Sequence, residues 1–580
     1  MLNDKQTARM LAKLRRFEET LEPMLFQPVA QLPAEAFRTS EILYEIPPRE
    51  KFSPIASGDH WGGEGNCCWI RSEFTVPPEL AGKPLYLQPR MGGYEALLWV
   101  DGEPFGTFAT KIVVTGHGNH YCDMVVRSPK AGQKVELALE FYAGHFVRGC
   151  APLSEEGRTD YDFVFESLTL CVKNQLISDF LFDLRTLNEL VETLDETSYR
   201  RAEVIRTLTA LHRILYYDPA SVEPETFTQA LMRGRTIMAP SLARKNSSTA
   251  PTVGIVGHSH MDTAWLWPVR ETIKKCARTY SNQLNLKQQY PEYRFIQSSA
   301  YHSEMIRRHY PGLFKKIQQA VAEGWYEPNG GVWVECDCNI TSGEAMVRQF
   351  LWGQRYTRRY FGYTSNCFWL PDTFGYSAAI PQIMKGCGVD YFLTTKMAWN
   401  DTNQFPYDTF YWEGLDGTRV LTHLNKTHVW PSPADFAPLV YGTESPDAVR
   451  QKQVSDRKLI AYGFGDGGGG PQFEMIEMAR RCTDLEGCPK AAHTSVGQFM
   501  KELEGAIHDP ATYSGELYLE LHRGTLTNQH TIKRHNRLSE IALHDLELFT
   551  VRQAMAEGKA ASDEAYRSLW ETLLVNQFHD

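Results

Sequence analysis

One short segment has residue types and spacing suited to a metal ion. It is His258-Ser259-His260-Met261-Asp262, directly after the apolar run PTVGIVG. In extended backbone alternate residues share a face, so His258, His260 and Asp262 can converge at a strand end. Imidazole nitrogen and carboxylate oxygen both ligate zinc, and a catalytic zinc keeps one position open. A lone His-x-His is as often a hydrogen-bonded turn; the Asp two residues on tilts the reading towards metal.

Three further segments hold groups that could join such a site. Asp372 lies in FWLPDTFGY, after another apolar run and before a Gly turn. By itself, an aspartate there reads as an ordinary cap or turn residue. Asp466 lies in YGFGDGGGGP, where bare glycines would let a substrate approach the backbone. A phosphate loop is a poor fit, because no Gly-Lys-Ser/Thr follows; a flexible surface turn is the plain alternative. The chain ends in NQFHD. Terminal residues usually fray, and nothing in residue type alone selects His579.

Two carboxylates, a metal and no evident Ser or Cys nucleophile suggest hydrolysis. A pair of Asp residues is what a retaining glycosidase uses, one as nucleophile and one as acid/base. Metal alone would equally suit a deacetylase or an amidohydrolase, and spacing does not separate them.

The elements that must position these residues change in texture along the chain. Residues from about 3 to 27 read as a surface helix. From roughly 40 to 172, short alternating runs such as PLYLQPR, EALLWVDG and KVELALEFYAG sit between Gly and Pro turns, as in an antiparallel β-sandwich. Such a sandwich could bind carbohydrate, but packing against the next domain is its plainer role. Phe180, Leu184, Leu187, Val191 and Leu194 then recur at helical steps, as do Val204, Leu208, Leu211 and Leu215. The polar stretch ARKNSSTAP reads as a linker. Beyond it, the candidate strands PTVGIVGHSH, YRFIQSS, NCFWLPD, YFLTTKM, RVLTHL and KLIAYGFGD have helical stretches between some of them. That alternation predicts a mostly parallel sheet, with chemistry at the carboxyl ends of its strands. Past roughly 510 the period is helical again. The predicted division is 1–174 helix and β-sandwich, 175–250 helical connector, 251–510 α/β catalytic domain with a parallel, barrel-like sheet, and 511–580 partial helical bundle.

Composition narrows the function. A net charge of −10 with no Lys/Arg block gives no pull towards nucleic acid or anionic membrane. No window approaches a membrane span, and the charged, amphipathic start is no signal peptide. The 12 Cys are scattered; Cys67-Cys68 and Cys336-x-Cys338 lack CxxC spacing. They read as reduced thiols of a cytosolic protein, and a zinc cluster at Cys336 and Cys338 is disfavoured.

The sequence resembles glycoside hydrolase family 38, the retaining α-mannosidases, and looks most like the cytosolic-type branch. The resemblance is carried, in family order, by GHSHMDTAWLWPVRETIKKCARTY, GGVWVECDCNITSGEAMVRQFLWGQ, FWLPDTFGYSAAIPQIMKGCGVDYFLTTKMAWN, FYWEGLDGTRVL, YGFGDGGGGP, ELYLELHRGTLTNQ and NQFHD. It implies metal ligation by His260, Asp262, Asp372 and His579, with His258 outside the ligand set. It implies Asp372 as nucleophile and Asp466 as acid/base. Trp265 is then expected to stack on mannose, Phe374 to wall the pocket and Asp580 to bond sugar hydroxyls. The implied metal is zinc, with cobalt as the alternative. The implied partner is a mannose-containing oligosaccharide, with no nucleic acid or membrane and with homo-oligomerisation left open. The rival expectations are an inactive carbohydrate-binding fragment and a metal-dependent polysaccharide deacetylase. The family pattern continues past its His-Asp motif, so a chain stopping at Asp580 is expected to hold His579 loosely, bind metal weakly and turn over slowly.

Overall fold

The computed structural model describes residues 3–109, 120–145, 161–442, 445–560 and 564–580. Helix Asp4–Leu21 opens the chain on a capping box: the Asn3 side chain accepts from the Gln6 amide, and the Gln6 side chain accepts from the Asn3 amide. Its buried face, Met10, Leu14, Phe17 and Leu21, joins a core shared with helices Gln175–Thr193, Tyr199–His212 and Pro224–Leu242.

Between these helices lies the expected antiparallel sandwich, beginning earlier than the sequence suggests, at strand Phe26–Gln31. Among the described residues one sheet has four strands and the other six. Strand Glu95–Val100 is buried on both faces. Leu98 and Val100 point into the sandwich core, whereas Leu97 and Trp99 pack in the core of the following region. This two-sided burial makes the sandwich a packing partner for helix Val269–Gln289. That helix is rich in Lys, Arg, Asn and Gln, yet most of it is buried.

The strands after residue 251 are mostly parallel and form two sheets. The first runs in the order Tyr326–Val332, Phe295–Ser299, Thr252–His258, Arg457–Tyr462, Lys426–Val429, with Lys490–His493 also paired to Thr252–His258. The second runs Cys367–Trp369, Tyr391–Thr394, Arg419–Leu424, Thr409–Glu413, Thr512–Ser514, with one antiparallel pair. Val256, Ile296, Trp369, Leu393, Leu421 and Leu459 from both sheets meet in one interior cluster. Among the described residues no ladder joins the sheets into the closed barrel that the strand–helix alternation suggested.

Strand Tyr326–Val332 has the sequence YEPNGGV, which by itself reads as a turn. Its glycines have a steric reason: a Cβ at Gly330 would lie 1.9 Å from the Ser298 carbonyl oxygen of the neighbouring strand. At the other end of the chain, helix His530–Glu557 and helix Glu564–Val575 form the helical termination. No described helix is long and apolar enough to cross a membrane. The described cysteines are free thiols.

Candidate metal centre and active site

Every predicted site residue before residue 500 lies on or just past the segment that leaves the carboxyl end of a parallel strand. His260 and Asp262 follow Thr252–His258, Asp372 follows Cys367–Trp369, and Asp466 follows Arg457–Tyr462. His579 arrives from helix Glu564–Val575 and closes the group. One ligand atom each from His260, Asp262, Asp372 and His579 lies within 4.8 Å of the others.

The two imidazoles stack at 5.7 Å and 19°. His260 Nε2 is 3.0 Å from Asp262 Oδ1 and 3.9 Å from Asp372 Oδ2. His579 Nε2 is 3.3 Å and 3.8 Å from the same two oxygens. His579 Nδ1 donates to the Glu335 carbonyl at 2.8 Å. A carbonyl can only accept, so Nδ1 carries a proton and Nε2 is the nitrogen turned towards a ligand bond, available to a metal once its own proton is displaced. That Nε2 atom is buried and makes no hydrogen bond. An orphaned imidazole nitrogen facing two carboxylates, with its other nitrogen tied to a carbonyl, fits a divalent cation.

The electrostatics agree. Burial alone would depress the His260 pKa, but Glu335 and Asp262 outweigh it and hold it well above the usual histidine range. Burial also opposes charge on His579, and the facing Asp262 carboxylate, with Asp580 and Asp372, outweighs it and raises the pKa to about 9. Asp262 is buried, yet the two imidazoles hold its pKa below the carboxylate range. The group binds positive charge strongly, whether as protons or as a metal.

His258 stays outside this set, as the resemblance implies. Its ring lies 4.5 Å from Trp369 and 6.5 Å from His260, and burial pushes its pKa well down. Cys336 and Cys338 form no part of a metal group among the described residues.

Asp466 projects from a tight loop with φ +57°, a left-handed conformation uncommon outside glycine. Its carbonyl accepts from the Asp262 amide at 2.8 Å, which fixes the loop to the metal segment. A Cβ at Gly465 would lie 2.0 Å from His428 Nε2, and one at Gly468 2.6 Å from Thr279 Oγ1. The glycine run therefore serves close packing rather than looseness. Burial raises the Asp466 pKa; His428 and His260 oppose this, and Asp262 and Asp372 add to it.

The remaining predicted residues surround the cluster. Phe374 packs edge-on to His579 at 5.4 Å. Asp580 Oδ2 is 3.9 Å from His579 Nε2, and burial raises its pKa to about 7. Trp265 is 43% exposed, leaving its ring accessible. The chain end is docked, against the expectation of a loosely held His579. The His579 amide donates to the Glu335 carbonyl at 3.2 Å, the Asp337 amide to Gln577 at 2.8 Å, and Cys336 bridges Phe578.

Sequence reasoning missed three neighbours. Lys396 Nζ pairs with Asp372 Oδ1 at 2.6 Å, His428 Nε2 lies 4.0 Å from Asp466, and Glu335 Oε2 lies 3.1 Å from His260 Nδ1. The one available signal for Glu335 and Lys396 was their place past strand ends; His428 sits at the bulge within strand Lys426–Val429.

Residues 250–516 match the glycosyl hydrolases family 38 N-terminal domain, and residues 520–580 match the alpha mannosidase middle domain. The chain belongs to glycosyl hydrolase family 38. It is 35% identical to Alpha-mannosidase 2C1 of Homo sapiens over 98% of this chain and 54% of that protein. It is 36% identical to the Mus musculus protein of the same name, over 97% of this chain and 53% of the relative. Alpha-mannosidase G of Dictyostelium discoideum is 33% identical over 90% of this chain and 47% of its own. The chain thus spans about half the length of the curated relatives it matches. Within the family match, the four-ligand group joins both ends of the aligned region, from His260 to His579.

Proposed function

We propose that this chain carries the active site of a retaining, metal-assisted α-mannosidase that removes terminal α-linked mannose from oligosaccharides in the cytoplasm. The observation that carries the reading is the joining of four metal-type ligands with two further carboxylates, Asp466 and Asp580, at one set of strand ends. The relatives' names supply the sugar.

Residues 251–510 are the catalytic unit in this reading, preceded by the sandwich at 1–174 and the connector at 175–250, and followed by the bundle at 511–580. A bound zinc or cobalt ion would supply Lewis-acid charge to mannose hydroxyls at His260, Asp262, Asp372 and His579. Lys396 holds Asp372 Oδ1 while Oδ2 faces the two imidazoles, which fixes the orientation of the nucleophilic carboxylate. Asp372 attacks the anomeric carbon while Asp466, its pKa raised, gives its proton to the departing oxygen. The glycosyl ester then breaks when Asp466 takes a proton from water and the hydroxide displaces Asp372, with net retention. Trp265 stacks on the sugar face, Phe374 walls the pocket, and Asp580 accepts from a sugar hydroxyl.

The test is hydrolysis of nitrophenyl α-mannoside with and without chelator. Expected are chelator-sensitive release, labelling of Asp372 by an activated fluoro-mannosyl inhibitor, and an Asp466→Ala variant least impaired on good leaving groups. Labelling at Asp466 would reverse the two roles, and cleavage of acetyl-sugars in place of mannosides would favour the deacetylase.

A further inference from the structure

We infer that Glu335 is the positioning residue for both histidines of the metal group, through its side chain for His260 and its own main-chain carbonyl for His579. The inference rests on the reading above that these imidazoles hold a metal. Glu335 is 2% exposed and lies just past strand Tyr326–Val332. Its Oε2 is 3.1 Å from His260 Nδ1, and its carbonyl accepts from His579 Nδ1 at 2.8 Å. Both rings therefore turn Nδ1 towards one residue and Nε2 towards the same Asp262 and Asp372 oxygens.

The two arms are built differently. The side-chain arm is held from strand Phe295–Ser299, where Ser298 Oγ donates to Glu335 Oε1. Glu335 Oε2 sits out of line with the His260 ring N–H, so that contact is an ion-pair contact rather than an aligned hydrogen bond. The main-chain arm is set by the Cys336–Phe578 bridge and its flanking bonds, which fix the register of His579 against Glu335. A side-chain substitution at 335 should therefore release His260 while leaving His579 in place. A merely structural residue would not predict that asymmetry. Partners of this kind that orient metal ligands typically contribute about 10- to 100-fold in metal affinity.

The experiment uses the 580-residue chain as wild type, Glu335→Ala, Glu335→Gln and Ser298→Ala. One readout is zinc and cobalt affinity by chelator competition. The other, independent of metal, is the downfield Nδ1–H resonance of each histidine in chelator-treated, imidazole-labelled protein. Expected for Glu335→Ala are a loss of about 10- to 100-fold in affinity and of the His260 signal, with the His579 signal kept. Glu335→Gln, which keeps the shape of the side chain but not its charge, should recover only part of both, and Ser298→Ala should lose least. If Glu335→Ala does not fold, the other two variants carry the test in the same order. Wild-type affinity with an unchanged His260 signal in Glu335→Ala would overturn the inference, as would parallel loss of both histidine signals. A wild-type chain that binds neither metal but shows the asymmetry would defeat the metal reading and support Glu335 as the residue that positions His260.

Discussion

Two regions of this molecule bury ionised groups, and they do so in opposite ways. Where helix Val269–Gln289 meets the sandwich, Lys274 pairs with Glu140 at 2.7 Å, Lys275 with Glu95 at 2.5 Å, and Arg278 with Glu271 at 2.6 Å and Glu95 at 3.3 Å. Each of these three cations has a carboxylate, each with a fixed direction. At the strand ends, Asp262, Asp372, Asp466, Asp580 and Glu335 gather round one lysine, Lys396, and a set of imidazoles. A matched network returns part of its desolvation cost and fixes how two layers dock. An unmatched one raises the pKa of His260 and His579 against their burial, and adds to the burial that raises Asp466 and Asp580, and so favours an added cation. Burial of charge alone does not mark a functional site; the imbalance does.

The sharpest way to break that comparison is to remove a ligand. His260→Ala and Asp262→Ala are each expected to abolish tight metal binding and turnover while the melting transition stays cooperative. Metal analysis checks this directly, and full zinc content in either variant would remove both from the ligand set.

A smaller and different effect is expected at the matched network. Lys274→Met strands the buried Glu140 carboxylate, which should cost about 3–5 kcal/mol of stability. Metal stoichiometry of the folded protein should not change. Adding Glu140→Leu should recover most of the loss, because an apolar pair of similar volume is tolerated where a lone charge is not. Denaturant melts with parallel metal analysis separate the two effects. A Lys274→Met chain that keeps its stability but loses metal would show that the two regions are not distinct.

The two regions also differ in how far the sequence reveals them. His260 and Asp262 were visible as candidates from residue type and strand period, but together with His258, which only the family pattern sets apart. Asp372, Asp466 and His579 were not, because each looks like a turn or chain-end residue until it is set beside the others, and the family pattern does that where spacing cannot. The predicted strands from PTVGIVGHSH to KLIAYGFGD appear in the fold. Tyr326–Val332 stayed hidden because its Pro and glycines answer to a neighbouring strand rather than to local propensity. The burial of helix Val269–Gln289 does not show in its polar sequence, since its cations find their carboxylates on sandwich strands far away in the chain. Glu335 and Lys396 were missed for the same reason: a single charged residue in an apolar stretch gives no sign of its partner.

The mildest test sharpens the comparison through pH. His579 moves from an ordinary histidine value of 6.5 to about 9 in the folded, metal-free chain. A raised histidine pKa means the folded state holds the proton more tightly than the unfolded state does. Its contribution is complete below pH 6.5 and is lost as pH rises through about 9, so the metal-free chain should become less stable across that window. Metal reverses the sign. Binding must displace the His579 proton, so apparent affinity should rise by up to about tenfold per pH unit for that proton and level off above about pH 9. At fixed free zinc, the stabilisation by bound ion grows with affinity, so the loaded chain should gain on the metal-free chain as pH rises. Melting curves from pH 6 to 10, taken with chelator and with buffered zinc, should diverge. The Lys274→Met chain should shift both curves down together and leave their divergence unchanged, because its charges lie in the other network. Parallel curves in the wild type would mean that the proton and the metal do not compete for His579.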